Sequence, residues 1–305
     1  MMGALIDVQG LTKSYGRNRG IVDLTFQVEE GEIFGFLGPN GAGKTTTIRT
    51  LMGFLRPSAG RATIAGLDCW AQSTAVKRLV GYLPSEFAFD PGMTGAQILS
   101  YLGHLRGGVD RRYVAALCDR LDFDPGKRFR EYSRGNRQKL GIIQAFMHRP
   151  RLLILDEPTG GLDPLNQQEF YRILREVQAE GATVFLSSHI LPEVEHTCQR
   201  VGIVRDGRLV EINEVEQLKR LRQQTVVVTF GRQVPSEEFA SLPEVEDLKV
   251  ERDGRELHLH VRGGDLSAVI RKAAEYNAQN LTVQEPSLEE IFMRFYEPEG
   301  VGARA

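Results

Sequence analysis

Two short stretches hold residue types and spacings from which chemistry can be built. Gly38-Pro39-Asn40-Gly41-Ala42-Gly43-Lys44-Thr45 fits the pattern G-x-x-x-x-G-K-[ST]. Its glycines let backbone N–H groups converge on phosphate oxygens without a Cβ in the way. A helix expected over Lys44–Met52 would add the partial positive charge of its N-terminus, roughly half an elementary unit. Lys44 is then placed for the β- and γ-phosphates of a nucleotide and Thr45 for Mg²⁺, with Thr46 beside them in the first helical turn. The second stretch, Leu152-Leu153-Ile154-Leu155-Asp156-Glu157, reads as a buried strand ending in two carboxylates. Asp156 suits a Mg²⁺ partner, and Glu157 is set to orient and deprotonate a water, help typically worth about 10²–10⁴-fold. A further strand is expected at Thr183–Leu186.

Elements must exist to present these residues. Glu32–Leu37, nearly continuously apolar, reads as a strand buried on both faces and leads into the glycine-rich segment. Shorter β-rich runs at Ile6–Val8 and Ile21–Val28 precede it. From about Pro91 to His148 the pattern is helical, with Thr94 and Asp110 as caps. Asp163-Pro164 opens a helix whose apolar residues Phe170, Ile173, Leu174 and Val177 fall at i, i+3, i+4 and i+7, and Gly181 ends it. Asp206-Gly207 between Ile203-Val204 and Leu209-Val210 signals a hairpin. The order strand, helix, strand predicts an α/β fold with a parallel sheet covered by helices and an antiparallel N-terminal portion. After the charged stretch Gln217–Gln224, the remainder reads β-α-β-β-α-β, the order of a ferredoxin-like unit. Its strands are expected at Thr225–Phe230, Asp247–Glu251, Glu256–Val261 and Leu281–Val283, with a last amphipathic helix from Ser287 to Phe295. The expected division is 1–220, with a helical part at about 90–148, and 221–305.

Composition sets bounds on function. A net charge of −2 supplies no basic footprint for nucleic acid. Three scattered cysteines, Cys69, Cys118 and Cys198, lack metal-ligand spacing and suit a reducing compartment. The first residues, MMGALIDVQGL, show neither the basic nor the apolar region of a secretory leader. No apolar run approaches the roughly 20 residues that span a bilayer, so work at a membrane would need spans from another chain.

At the first two motifs the chain resembles the ATPase family of ATP-binding cassette (ABC) transporters, and residues 4–215 follow that family's order. The resemblance implies a P-loop cassette with a helical subdomain, binding ATP and Mg²⁺. It assigns Tyr15 to adenine, Gly38 to Thr46 to the phosphates, Thr45 and Asp156 to the metal, and Glu157, His189 and Lys44 to catalysis. Tyr132-Ser133-Arg134-Gly135-Asn136 looks like the signature segment, usually Leu-Ser-Gly-Gly-Gln, in which Ser133, Gly135 and Asn136 face the nucleotide of an opposite protomer. Gly161-Leu162-Asp163 matches the D-loop that couples the two sites. A homodimer and a separate six-span permease follow from the resemblance, as does a place on the cytoplasmic face of the membrane. The signature wording and the tail look like the drug- and lipid-type export branch. The alternatives are a soluble cassette ATPase acting on nucleic acid or ribosomes, and an importer.

Two departures stand out. Arg134 replaces the first signature glycine and Asn136 the usual glutamine; Arg134 either points to solvent or adds charge-assisted hydrogen bonds to partner-bound phosphates. In Gly81-Tyr82-Leu83-Pro84-Ser85-Glu86, relatives usually carry glutamine at the position of Ser85. Ser85 is too short to copy its reach, which leaves Glu86 or a water as the substitute.

Overall fold

The computed structural model describes residues 3–16, 18–220, 224–261 and 266–284. The expected helix at Ser287–Phe295 lies outside them. The chain forms two compact units, Met1–Asn213 and Glu214–Ala305. The division falls a few residues before the anticipated residue 220, with the helix Val215–Arg220 in the second unit.

In the first unit, β1 (Ala4–Tyr15), β2 (Asn18–Glu29), β4 (Ala59–Ile64) and β5 (Leu67–Asp68) form an antiparallel sheet in the order β2-β1-β4-β5. Both long strands extend well beyond the apolar runs that announce them, since Asp7, Gln9 and Lys13 alternate with buried Ile6, Val8 and Leu11. A second sheet takes β3 (Ile33–Leu37), β6 (Val80–Leu83), β7 (Leu152–Asp156), β8 (Thr183–Ser188), β9 (Arg200–Arg205) and β10 (Arg208–Glu214) in the order β10-β9-β3-β8-β7-β6. Strands β9, β3, β8, β7 and β6 run parallel. Every residue of β3, β7 and β8 is buried, which explains their unbroken apolar character. Between the sheets, Phe26, Phe34, Phe36 and Phe185 pack with ring centroids 5.2–6.0 Å apart. The turn from β9 to β10 carries Asp206 and Gly207 at φ 49° and 76°, the left-handed pair expected of such a hairpin.

Helix α1 (Lys44–Leu51) follows β3, and α2 (Ser73–Leu79) precedes β6. The helical part comprises α3 (Gly95–Leu105), α4 (Arg111–Arg120) and α5 (Arg134–Phe146). Thr94 caps α3 in a reciprocal box with Gln97, and Asp110 caps α4. Helix α6 (Pro164–Ala179) starts with proline at its first position behind the Asp163 cap, and α7 (Leu191–Thr197) follows β8.

The second unit holds α8 (Val215–Arg220), β11 (Gln224–Phe230), α9 (Ser236–Ala240), β12 (Val245–Glu251), β13 (Glu256–Val261), α10 (Ser267–Glu275) and β14 (Ala278–Gln284). Its sheet is antiparallel, ordered β12-β13-β11-β14, as a ferredoxin-like unit requires. Val226, Val228, Leu257, Leu259 and Phe239 build its core.

Candidate functional site

Parallel pairing in the order β3-β8-β7 brings three strand ends to one edge, although β3 lies more than a hundred residues before the other two. Leu37 pairs with Ser188, and Asp156 with Ser187. The glycine-rich loop, the two carboxylates and His189 therefore leave the sheet side by side. Gly38 N–H donates to Ser188 O at 3.2 Å, and Glu157 N–H to Ser187 O at 3.1 Å, so the loops are tied to one another beyond the ladder.

The loop's backbone is dictated at two glycines. Gly41 (φ 82°) faces open space, so only its left-handed conformation demands glycine. Gly43 (φ 105°) is doubly constrained, because a Cβ there would stand 2.8 Å from Ile21 Cγ2 and 3.2 Å from Gly20 O. Gly20 in turn lies under the Tyr15 ring, whose Cε2 would be 2.9 Å from a Cβ on it.

Lys44 is 5% exposed, and its ammonium donates to Gly38 O (2.6 Å) and Pro39 O (3.2 Å) while pairing with Glu157 Oε1 at 3.2 Å. Thr45 Oγ1 donates to Asp156 Oδ2 at 2.9 Å, and Ser187 Oγ to Asp156 Oδ1 at 2.5 Å. Asp156 is fully buried with both oxygens held. A hydroxyl and a carboxylate side by side make a hard oxygen donor set, which fits Mg²⁺. His189 Nδ1–H donates to Glu157 Oε2 at 2.6 Å. Glu157 itself sits at φ 53°, a strained conformation for a residue with a Cβ, of the kind that clusters at functional sites.

Tyr15, Asn40, Gly41, Gly43, Lys44, Thr45, Thr46, Ser85 and Glu157 line a common cavity of about 330 Å³. Ser85 is among its lining residues and Glu86 is not. Ser133, Gly135, Asn136 and Asp163 do not line it. Ser133 caps α5 by accepting from Asn136 N–H. Gly135 allows the loop after β7 to approach, since a Cβ would be 2.7 Å from Gly161 O. Arg134 lays its aliphatic stem over Gly161. Asp163 accepts from Leu165 N–H and Asn166 N–H as the cap of α6.

Several partners in this arrangement have no local signature. Besides Ser187, Gln138 donates to Pro158 O (2.7 Å) and Glu157 O (3.3 Å), fastening α5 to the end of β7. Glu193, 1% exposed, meets Ser188 Oγ at 2.5 Å. Burial pushes its carboxyl up to about 7, with the Glu157 charge adding to the rise. Its place in Leu191-Pro192-Glu193, an acidic residue in the first turn of a helix, was the available signal, and it reads first as helix capping. In the second unit, Glu251, Glu256 and His258 come together, but Lys249 (2.7 Å) and Arg252 (3.0 Å) already hold the carboxylates as ion pairs.

The combined geometry is that of a nucleotide-binding cassette. Residues 21–160 match the family model described as ABC transporter, and residues 214–296 that described as ATP-binding protein DrrA1-3-like, C-terminal domain. Daunorubicin resistance ATP-binding protein DrrA3 of Streptomyces coeruleorubidus is 33% identical over 305 residues, covering 96% of each chain. Bacitracin transport ATP-binding protein BcrA of Bacillus licheniformis is 31% identical over 303 residues, covering 96% of this chain and 97% of its own. A solved ATP-binding subunit of an ABC transporter matches with a TM-score of 0.66 at 29% identity, over 71% of this chain and 92% of that one. A dimeric bacterial ABC transporter cassette shares the fold with a TM-score of 0.64 at 18% identity, over 69% of this chain and 98% of that one. The chain belongs to the ABC transporter ATP-binding family, and within it to proteins that carry a DrrA-like C-terminal domain. Membership in this ATPase family agrees with the transporter reading rather than with a nucleic-acid ATPase. No helix among the described residues is long and apolar enough to cross a membrane.

Proposed function

We propose that two copies of this chain clamp and hydrolyse magnesium ATP at their shared interface, and that closure and release drive export of a drug- or lipid-like molecule through a separately encoded permease. The observation that carries this reading is the convergence of Lys44, Thr45, Asp156, Glu157 and His189 at one sheet edge. Lys44 exchanges its carbonyl and carboxylate partners for the terminal phosphates. Glu157 accepts the proton of the attacking water, and His189 holds the carboxylate through its hydrogen bond. Thr45 and Asp156 would hold Mg²⁺, which when bound neutralises charge on the phosphates. Tyr15 stacks on the base.

Ser133, Gly135 and Asn136 lie off the cavity of their own chain, which supports a role toward the nucleotide of the other copy. The dimeric assembly of the related cassette and the transport and resistance names of the relatives support the same assignment. Residues 1–220 then serve as the motor and 221–305 as a dimer-stabilising accessory, placed at the cytoplasmic membrane face through the permease. Light scattering on the purified Glu157→Gln protein with magnesium ATP tests the reading. The expected mass is twice the 34.1 kDa of one chain, with hydrolysis abolished. Wild-type turnover, or a monomer at saturating nucleotide, refutes it.

A further inference from the structure

The segment Ser187-Ser188-His189 is a hub in which each successive residue holds a different part of the site. Ser187 fixes Asp156, Ser188 O accepts from the first glycine of the phosphate loop, and His189 reaches Glu157. What fixes the hub itself is the Ser188 side chain. Its Oγ accepts from Ile190 N–H at 2.9 Å, closing the turn that aims His189, and it is gripped at 2.5 Å by Glu193 Oε2. Glu193 is anchored in turn, because its backbone carbonyl accepts from Thr197 Oγ1 at 2.7 Å and its side chain is 1% exposed.

The carboxyl is otherwise enclosed by protein, and besides Ser188 the Thr159 side chain bears on it. Thr159, 3% exposed and three residues past Asp156, faces the same carboxyl from the loop that leads to Gly161 and Asp163. That loop also contacts the signature helix through Gly135 and receives Gln138 at Pro158 O. Glu193 thus stands between the turn carrying His189 and the loop carrying Thr159, with its carboxyl in reach of both.

We propose that Glu193 is a positioning residue for hydrolysis: through Ser188 it holds His189 against Glu157, and through the same carboxyl it couples that turn to Thr159 in the loop between Asp156 and Asp163. It touches neither nucleotide nor water. Its effect is on the placement of the Glu157 carboxylate, and misplacing a reacting group by about 1 Å can cost about 100-fold.

This inference rests on the assignment of Glu157 as the base, so Glu157→Gln is assayed in parallel with Glu193→Ala, Glu193→Gln and Thr159→Val in the full-length protein. Glu193→Ala is expected to lower kcat by about 10- to 100-fold while KM for ATP stays within about 3-fold. Glu193→Gln, which keeps a polar atom for Ser188 and another for Thr159, is expected to restore most of kcat. Thr159→Val is expected to lower kcat and to add no further loss in the Glu193→Ala background, as for residues acting as one unit. A Glu193→Ala enzyme with wild-type kcat overturns the proposal, as does Glu193→Gln failing to rescue, or a loss confined to KM. If Glu193→Ala does not fold, Thr159→Val decides alone: unchanged kcat overturns the coupling, and a lowered kcat at constant KM upholds it. An active Glu157→Gln sinks the assignment of the base, whereas an inactive one beside an active Glu193→Ala sinks only this inference.

Discussion

The Lys44–Glu157 pair makes Glu157→Gln more than a loss-of-function change. At 3.2 Å and an effective dielectric constant of about 20, the gross attraction is about 5 kcal/mol. Desolvation cancels much of it, leaving the net value of a hydrogen bond to a charged group, about 1.5–3 kcal/mol. Lys44 must surrender this contact to take a phosphate. Glutamine keeps the shape and the left-handed backbone of Glu157 but offers Lys44 only a neutral acceptor, which belongs at the weak end of that range, about 1.5 kcal/mol. The difference, about 1 kcal/mol, should tighten nucleotide binding about fivefold. Loss of the base should slow turnover by about 10²–10⁴-fold. The expected signature is a fall in both kcat and Kd, read by phosphate release and by calorimetric titration with a non-cleavable ATP analogue for wild type and variant alike. A variant that binds the analogue no better than wild type would show that the pair does not compete with phosphate. One that turns over within about tenfold of wild type would remove Glu157 as the base.

Gly41→Ala and Gly43→Ala should separate conformation from crowding. The first meets only left-handed strain, about 1–2 kcal/mol, and the second adds a clash with Ile21 and Gly20 worth about 1–3 kcal/mol more. Thermal melts and nucleotide titration read both, and equal losses would contradict the distinction. Glu193 also predicts a pH effect on stability. Its folded-state pKa of about 7 lies above the ordinary 4.5, so the folded protein keeps a proton that the unfolded chain gives up. The stability carried by the neutral carboxyl is whole below about pH 4.5 and is lost as pH rises through about 7. Urea titrations of wild type and Glu193→Gln should therefore diverge across that window by about 3 kcal/mol in favour of the glutamine variant. Parallel curves would refute the raised pKa.

The legible parts of the site are those where chemistry and local structure coincide. Lys44 and Thr45 must open a helix behind an apolar strand, and Ile33–Leu37 and α1 supply both. Caps such as Thr94, Asp110 and Asp163 were visible because their hydrogen bonds span only two or three residues. In the second unit the alternation of Leu257, Leu259 and Val261 with Glu256, His258 and His260 marked β13 to its ends. Ser187, Gln138 and Glu193 went unread for a common reason. Ser187 and Gln138 reach partners 31 and 20 residues away, brought close by strand order and by packing of α5, which no local periodicity encodes. The bond from Glu193 to Ser188 is local, but its meaning depends on where β8 ends relative to β7. The full lengths of β1 and β2 escaped because half their residues face outward and are polar.

The contacts at Gly20 carry one more consequence. The dipeptide Gly20-Ile21 lies between the aromatic ring of Tyr15 and Gly43, so close that a Cβ on Gly20 would meet the ring and one on Gly43 would meet Ile21. In the proposed mode of binding, the span between the face offered to the base and the nest offered to the phosphates is thus set by two residues of backbone. The protein gauges its ligand end to end, as a caliper does. Bulk introduced at position 20 would shift one jaw against the other, and the fault would show as altered preference among nucleotides of different phosphate length.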